Sequence, residues 1–285
     1  MLRFLLLAFA LTLAGCTLNA QQVALPSPAS QTIKLPSGSL PVDFEKLSRQ
    51  ISDSYYHPDE LTGMDCSVSI DWVAMFASMK VEPTNERLKM LQGMTVQVHA
   101  VRDKPAELHF AWSNDELSTR DQLETGAKQM ISGFYEMYWS FSSPGMIPRP
   151  IQIKRVENRI AETVVSFNDH GTDTSVTVNK DFVPVHYTID SAAMKGSLDP
   201  VFVPSPAPVP GDLRRMRSVH LVNQIGSSTF DVNVAMEYQT IGGFNIPSRA
   251  TMELTGAYSV PMVFSACSVS RLVSVSPSPK VEIKH

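Results

Sequence analysis

The chain of 285 residues is 43% hydrophobic and 18% charged, which supplies apolar material for a core and excludes a disordered polymer. Its 24 Lys and Arg against 28 Asp and Glu leave a net charge of −4 with no dense basic run, an argument against nucleic-acid binding as the main task. No stretch reaches the ~20 apolar residues of a membrane-spanning helix, and 20 Pro with 14 Gly tilt the composition toward a strand-rich protein of the cell exterior.

In chain order, Arg3 and the apolar run from Phe4 to Ala14 read as a secretory signal peptide over residues 1–15. The run closes on Leu13-Ala14-Gly15-Cys16, which resembles the bacterial lipobox. That resemblance implies a lipoprotein that starts at a lipidated Cys16, and Thr17 in place of Asp then implies the outer membrane, facing the periplasm. Ordinary secretion with cleavage near Ala20 is the alternative. Residues 16–40, with Leu25-Pro26-Ser27-Pro28 and Leu35-Pro36-Ser37-Gly38, have too little apolar content to pack and read as a tether of roughly 25 to 30 Å reach. A single domain is expected over 41–275, and a frayed tail over 276–285.

Phe44, Leu47, Ile51 and Tyr55 fall on one stripe and predict a helix over Val42–Tyr56. Val68, Ile70, Trp72, Ala74 and Phe76 alternate with polar residues and predict a strand. A short helix over Thr84–Gln92, stopped by Gly93, precedes a hairpin of Thr95–Val101 and Ala106–Trp112. Leu123, Ala127, Met130, Phe134, Met137 and Phe141 recur at helical spacing and predict a long helix over Asp115–Ser140. After Ser142-Ser143-Pro144-Gly145 the chain reads almost wholly as strands, turning at Asp169-His170-Gly171, Asn179-Lys180-Asp181 and Ile241-Gly242-Gly243. Short turns between successive strands predict an antiparallel meander of roughly eight to eleven strands, with the Pro-rich segment 203–210 as a surface loop. The fold class is α+β. Cys66 and Cys267 lie in similar strand-like contexts and read as one disulfide, with two separate buried thiols as the alternative.

An N-terminal helix, an inserted long helix and an antiparallel meander behind a lipid anchor resemble the LolA/LolB-like superfamily of outer-membrane lipoprotein carriers. The residues that carry the likeness are Glu107-Leu108-His109-Phe110-Ala111-Trp112, Pro184-Val185-His186-Tyr187-Thr188-Ile189-Asp190 and Gly242-Gly243-Phe244-Asn245-Ile246-Pro247-Ser248-Arg249-Ala250. The resemblance implies a large curved sheet, an incomplete barrel, with two or three helices on its concave face and acyl chains of a lipoprotein or phospholipid held between. It nominates Phe44, Leu47 and Ile51, Met130, Phe134 and Met137, and Trp72, Phe110 and Trp112 as the lining. The same residues read without the resemblance as ordinary core.

Chemistry is sparse. The chain has no Gly-x-Ser-x-Gly elbow, no His-Glu-x-x-His helix, no phosphate loop and no Cys-x-x-Cys pair, so neither catalytic nor metal residues are assigned, and no cofactor is expected. His99 and His109 could face each other across the hairpin as two metal ligands, but a third ligand has no evident position. Asp169-His170 beside Ser166 or Thr172 fits a turn better than a nucleophile relay. Arg214-Arg215-Met216-Arg217 reads as a phosphate-headgroup contact or as a solvated strand entry. The expected partners are therefore the membrane, through the N-terminal lipid, and an acylated ligand; the alternative is a structural or regulatory envelope lipoprotein that binds another protein and has no lipid cavity. Replacing Cys16 with Ser is expected to move the protein from the detergent phase to the aqueous phase in a detergent partition. An intact mass showing an unmodified N-terminus beyond Cys16 would refute the anchor.

Overall fold

The computed structural model describes residues 43–113, 120–142, 146–169, 171–191, 194–204, 214–226 and 228–272. The expectations for the signal peptide, Cys16, the tether, the tail, His170 and most of the Pro-rich loop lie outside these residues. Four α-helices accompany a twelve-stranded sheet among the described residues: α1 Phe44–Ser52, α2 Trp72–Ser78, α3 Asn85–Gln92 and α4 Arg120–Phe141. The strands are β1 Leu61–Ile70, β2 Met94–Val101, β3 Glu107–Trp112, β4 Ile153–Asn158, β5 Glu162–Asp169, β6 Thr172–Asn179, β7 Pro184–Ser191, β8 Met194–Pro204, β9 Arg214–Ile225, β10 Ser228–Ile241, β11 Phe244–Leu254 and β12 Tyr258–Arg271.

The sheet runs β3-β2-β1-β12-β11-β10-β9-β8-β7-β6-β5-β4, and it is antiparallel throughout and not closed. Strands β1 to β3 form one meander and β4 to β12 a second, joined where β1 pairs with β12. The strand period of two segregates the faces: Met94, Val96, Val98 and Ala100 of β2 are buried, while Thr95, Gln97 and His99 between them are exposed. Val232, Val234 and Met236 of β10 and Val260, Met262 and Phe264 of β12 continue the same apolar inner face. Turn chemistry sets the register. At the β10–β11 hairpin Ile241 pairs with Phe244, and Gly242 and Gly243 take φ of 58° and 86°, the left-handed pair that a two-residue turn of this kind needs.

The long helix follows from this topology. The chain leaves the sheet at one free edge, β3, and returns at the other, β4, so the 22 residues of α4 cross the inner face between them. The crossing can be followed contact by contact. Trp112 of β3 donates to Glu124 at 2.7 Å, Phe134 lies 5.0 Å from Phe264 of β12, the Tyr138 hydroxyl donates to the Asn245 carbonyl of β11 at 3.2 Å, and Phe141 lies 6.0 Å from Tyr187 of β7. Its C-terminal half is buried on nearly every side, with Ile131, Tyr135 and Tyr138 joining Phe134, Met137 and Phe141. Leu123 and Met130, by contrast, are only half-buried.

Several boundaries differ from the sequence reading. Alternation past Ile70 does not continue as strand: Asp71 accepts from the Ala74 amide at 3.0 Å and caps α2, so Trp72 and Phe76 meet the core one helical turn apart. Helix α1 is shorter than predicted, capped by Asp43 and ended at Asp53, and Tyr55 and Tyr56 are buried in the segment that follows. Strand β8 went unpredicted because Gly196 and Pro200 interrupt its pattern. Both are accommodated: a Cβ at Gly196 would meet the Asn223 carboxamide oxygen at 2.2 Å, and the ladder with β7 ends at Leu198, before Pro200.

Cys66 and Cys267 form a disulfide between β1 and β12 with Cα atoms 4.2 Å apart. It sits at a bulge between the pairs Asp65–Ser268 and Ser67–Ser265, where Ala266 takes a left-handed φ of 48°. The bond closes a loop with a sequence separation of 201, across the seam that joins the two meanders. In the chain-entropy account a loop of this size stabilises by up to ~5 kcal/mol. Reduction, or Cys267→Ala, is expected to lower the denaturation free energy by about 3 to 5 kcal/mol in urea unfolding, with a steeper slope because the unfolded chain loses its cross-link and expands. Free alkylation of both thiols in native, unreduced protein would contradict the bond.

Candidate functional site

The nominated lining residues all join one continuous apolar cluster but differ in access. Leu47 and Ile51 of α1, Trp72 of α2, and Phe134 and Met137 of α4 are buried. Phe44, Met130, Phe110 and Trp112 are half-buried. The half-buried set includes a strip at the β3 edge, where the inward residues Leu108, Phe110 and Trp112 lie close to the start of α4. Glu124 pins that approach, accepting from the Trp112 indole at 2.7 Å and from Arg120 at 2.9 Å, with Arg120 6.0 Å over the Trp112 ring. The Arg120 hydrogen bond holds the Glu124 carboxyl below its ordinary value, the indole donor adds to that, and partial desolvation opposes both.

Deeper along α4 the interior turns partly polar. Tyr135 and Trp139 are buried with their polar atoms unpartnered, and so is one oxygen of half-buried Glu136, whose carboxyl burial pushes up. Under β7 and β8, Tyr55, Phe141, Tyr187 and Phe202 form a nest of rings: Tyr55 to Phe202 is 4.9 Å, Phe141 to Tyr187 6.0 Å and Phe141 to Phe202 6.4 Å. The hydroxyls of Tyr55 and Tyr187 have no hydrogen-bond partner, and burial raises both phenols well above their ordinary range. The sequence showed Tyr55 on the helical stripe and Tyr187 in an alternating strand. What seats Tyr55 on Phe202 and Phe141 on Tyr187 is the approach of the segment after α1 and of the end of α4 to β7 and β8, which no local pattern encodes.

The outer face carries a second arrangement that sequence reasoning missed. His186 of β7 and Asp199 of β8 meet at 2.5 Å, His220 of β9 lies 3.8 Å from Asp199, and its other nitrogen lies 2.9 Å from Asp231 of β10. The Thr255 hydroxyl donates to Asp231 at 2.7 Å, so it is bound to a carboxylate and not to an imidazole, and no nucleophile–base relay forms. Beside this array a groove of about 520 Å³ runs over the outer faces of β9 to β12, with Arg217, Glu237 and Arg249 on its walls. The signal for the array was present as outward-pointing His and Asp on alternating strands, but only strand order makes them neighbours.

The remaining candidates separate. In the hairpin His99 opposes Glu107 and His109 opposes Gln97, and His99 instead bonds Asp65 at 2.6 Å. No group of three or more His, Cys, Asp or Glu among the described residues has the arrangement to hold a metal ion. The basic cluster is split: Arg214 pairs with Asp181 at 3.0 Å, Arg215 lies 5.0 Å over the Tyr238 ring, Met216 is buried, and Arg217 faces the groove.

This geometry defines a class: an open antiparallel sheet wrapped over a crossing helix, with an apolar inner face and a polar outer one. No protein-family model, no curated protein and no solved structure matches the chain.

Burial raises the phenols of Tyr55, Tyr135, Tyr138 and Tyr187 alike. Above pH ~10 the unfolded chain loses these protons while the folded one keeps them, so stability holds below that pH and falls as pH rises through it. The expected slope approaches ~1.4 kcal/mol per pH unit for each such phenol. In a spectrophotometric titration near 295 nm the four are expected to ionise together with loss of near-UV circular dichroism. Reversible ionisation of all four in the folded state would contradict their burial.

Proposed function

We propose that the protein is a non-enzymatic, lipid-anchored component of the bacterial envelope that takes up acyl chains of lipoproteins or phospholipids beneath its open sheet and assists their trafficking. The observation that carries this reading is the half-covered apolar strip at the β3 edge, Leu108, Phe110 and Trp112, together with half-buried Leu123 and Met130 of α4, while the inner faces of β2 and β12 are sealed. Among the described residues, the unclosed sheet leaves that edge without a pairing strand. Each methylene moved from water into such a strip is worth about 0.8 kcal/mol, so an engaged tail of about ten methylenes gains about 8 kcal/mol before ordering costs. The Trp112–Glu124–Arg120 bonds that hold α4 against the edge are partly exposed and cost on the order of 1 kcal/mol each to open, a small barrier beside that gain.

A second reading is favoured by the free edges themselves. Ile151 and Ile160, 94% and 96% exposed, flank edge strand β4, which fits an envelope lipoprotein that binds another protein and takes no lipid.

Native mass spectrometry of the unlipidated mature chain, residues 17–285, titrated with acylated peptides separates the two. Met130→Asp lies on the half-covered strip and is expected to weaken acyl binding tenfold or more with the melting temperature nearly unchanged. Phe134→Asp, 1% exposed beneath Phe264, is expected to cost several kcal/mol of stability instead. Absence of acyl binding at micromolar concentration would transfer the assignment to the protein-binding reading.

A further inference from the structure

We propose that the outer face of the sheet carries a docking trough for an extended peptide that presents acidic side chains along one edge and basic side chains along the other. The trough lies on the face away from α4, so it does not depend on the acyl-binding reading. Strand register draws its floor: Val201, Ser218, Ala235, Thr251 and Pro261 stand opposite one another on β8 to β12, a single row across five strands. All are short side chains, and Val201, 50% exposed, leaves apolar surface open there. Longer residues flank the row on both sides. Glu237 and its register partner Arg249 form one wall with Arg217, and the register partners Asp199, His220, Asn233 and Glu253 form the other. The groove of about 520 Å³ lies over the floor and against the first wall.

Two β-bulges border that wall. Strand β9 has one residue more than β8 between the pairs Val201–Ser218 and Phe202–Met216, and the extra residue is Arg217. Strict alternation from Ser218 would send residue 217 into the core; the bulge instead turns Arg217 outward and Met216 inward. The second bulge, at Ser248 of β11, adjoins Arg249. Among the described residues the other arginines of the sheet are engaged, Arg155 by Glu157, Arg214 by Asp181, and Arg215 and Arg271 by the rings of Tyr238 and Phe244, whereas Arg217 and Arg249 meet neither a carboxylate nor a ring. The walls differ in sign. Two arginines against one glutamate make the first basic, and Asp199 with Glu253 makes the second acidic. A uniform polyanion is repelled by the second wall and a uniform polycation by the first. An extended peptide sends successive side chains to opposite edges, so one whose residues alternate in sign meets its complement on both. The dimensions agree: five strands at about 4.8 Å spacing give a floor about 19 Å long, the length of about six extended residues, and Asn233 and Glu237, four residues apart on β10, set the walls about 14 Å apart.

The test uses the unlipidated mature chain, residues 17–285, and hexapeptides carrying the same fluorescein label, read by fluorescence anisotropy. The alternating peptide Glu-Lys-Glu-Lys-Glu-Lys is expected to bind at least about fivefold more tightly than the block peptide Glu-Glu-Glu-Lys-Lys-Lys of the same composition, and more tightly than hexaglutamate or hexalysine. Its binding is expected to weaken about threefold or more between about 50 and 300 mM NaCl, because exposed charge pairs are screened. Arg217→Glu/Arg249→Glu makes both walls acidic and is expected to transfer the preference to hexalysine. Ala235→Tyr fills the middle of the floor with a residue that strands favour, and is expected to abolish binding with the melting temperature unchanged. If Ala235→Tyr lowers the melting temperature, the exposed arginine pair decides. Equal binding of the alternating and block peptides, tighter binding of hexaglutamate than of the alternating peptide, or a preference that survives the arginine substitutions would overturn the trough. Absence of binding by any of the four peptides at millimolar concentration would overturn it as well, and none of these outcomes bears on the acyl-binding reading.

Discussion

The organising constraint is the path of α4. A chain that leaves a twelve-stranded sheet at one edge and re-enters at the other has to pass over one face, and α4 takes the face that is apolar. At a rise of about 1.5 Å per residue a helix of this length spans about 33 Å, comparable with several strands laid side by side. The crossing explains why the helix is amphipathic near β3 and buried on nearly all sides near β7: it starts at a rim and ends under the middle of the second meander.

The seam between β1 and β12 is the other half of that arrangement. Two meanders of three and nine strands become one sheet only through this pairing, and the disulfide lies within it, beside the bulge at Ala266. Helix α2 continues the seam, since the Asp71 amide donates to the Pro261 carbonyl at 2.9 Å and Ser78 exchanges hydrogen bonds with Ser259. The edges β3 and β4 stay apart because α4 occupies the connection that a closing hairpin would need, and the half-covered strip at β3 follows from that openness.

The two faces divide the chemistry. Inside, large rings and methionines fill the space, and the polar atoms left without a partner include the donors of Tyr55, Tyr135, Tyr187 and Trp139 and one carboxylate oxygen of Glu136. Outside, the His186–Asp199–His220–Asp231 array and the Arg217–Glu237–Arg249 groove cluster on β7 to β12. The inner site is specified by shape and desolvation, the outer one by exposed charge that water and salt screen.

Much of the architecture was legible in the sequence because its signals are local. Alternation such as Met94 to Ala100, the Gly242-Gly243 turn and the helical recurrence from Leu123 to Phe141 each depend on a few neighbouring residues. The pairing of Cys66 with Cys267 was legible from their matching strand contexts and the scarcity of other cysteines. Where local signals conflict they misled: Trp72, Ala74 and Phe76 alternate like a strand, yet the Asp71 cap turns them into a helix, and Gly196 and Pro200 hid β8 because their tolerance depends on Asn223 and on where β7 stops. The sequence by itself thus determined the antiparallel, face-segregated character of the protein and the helix that accompanies it. Only the tertiary structure decided the register with which β1 pairs β12, that Tyr55 packs on Phe202 and Tyr187 on Phe141, and that His186, Asp199 and His220 align across three strands. Those meetings join residues far apart in the chain, and what brings them together is the packing of whole elements rather than the preference of any residue for its neighbours.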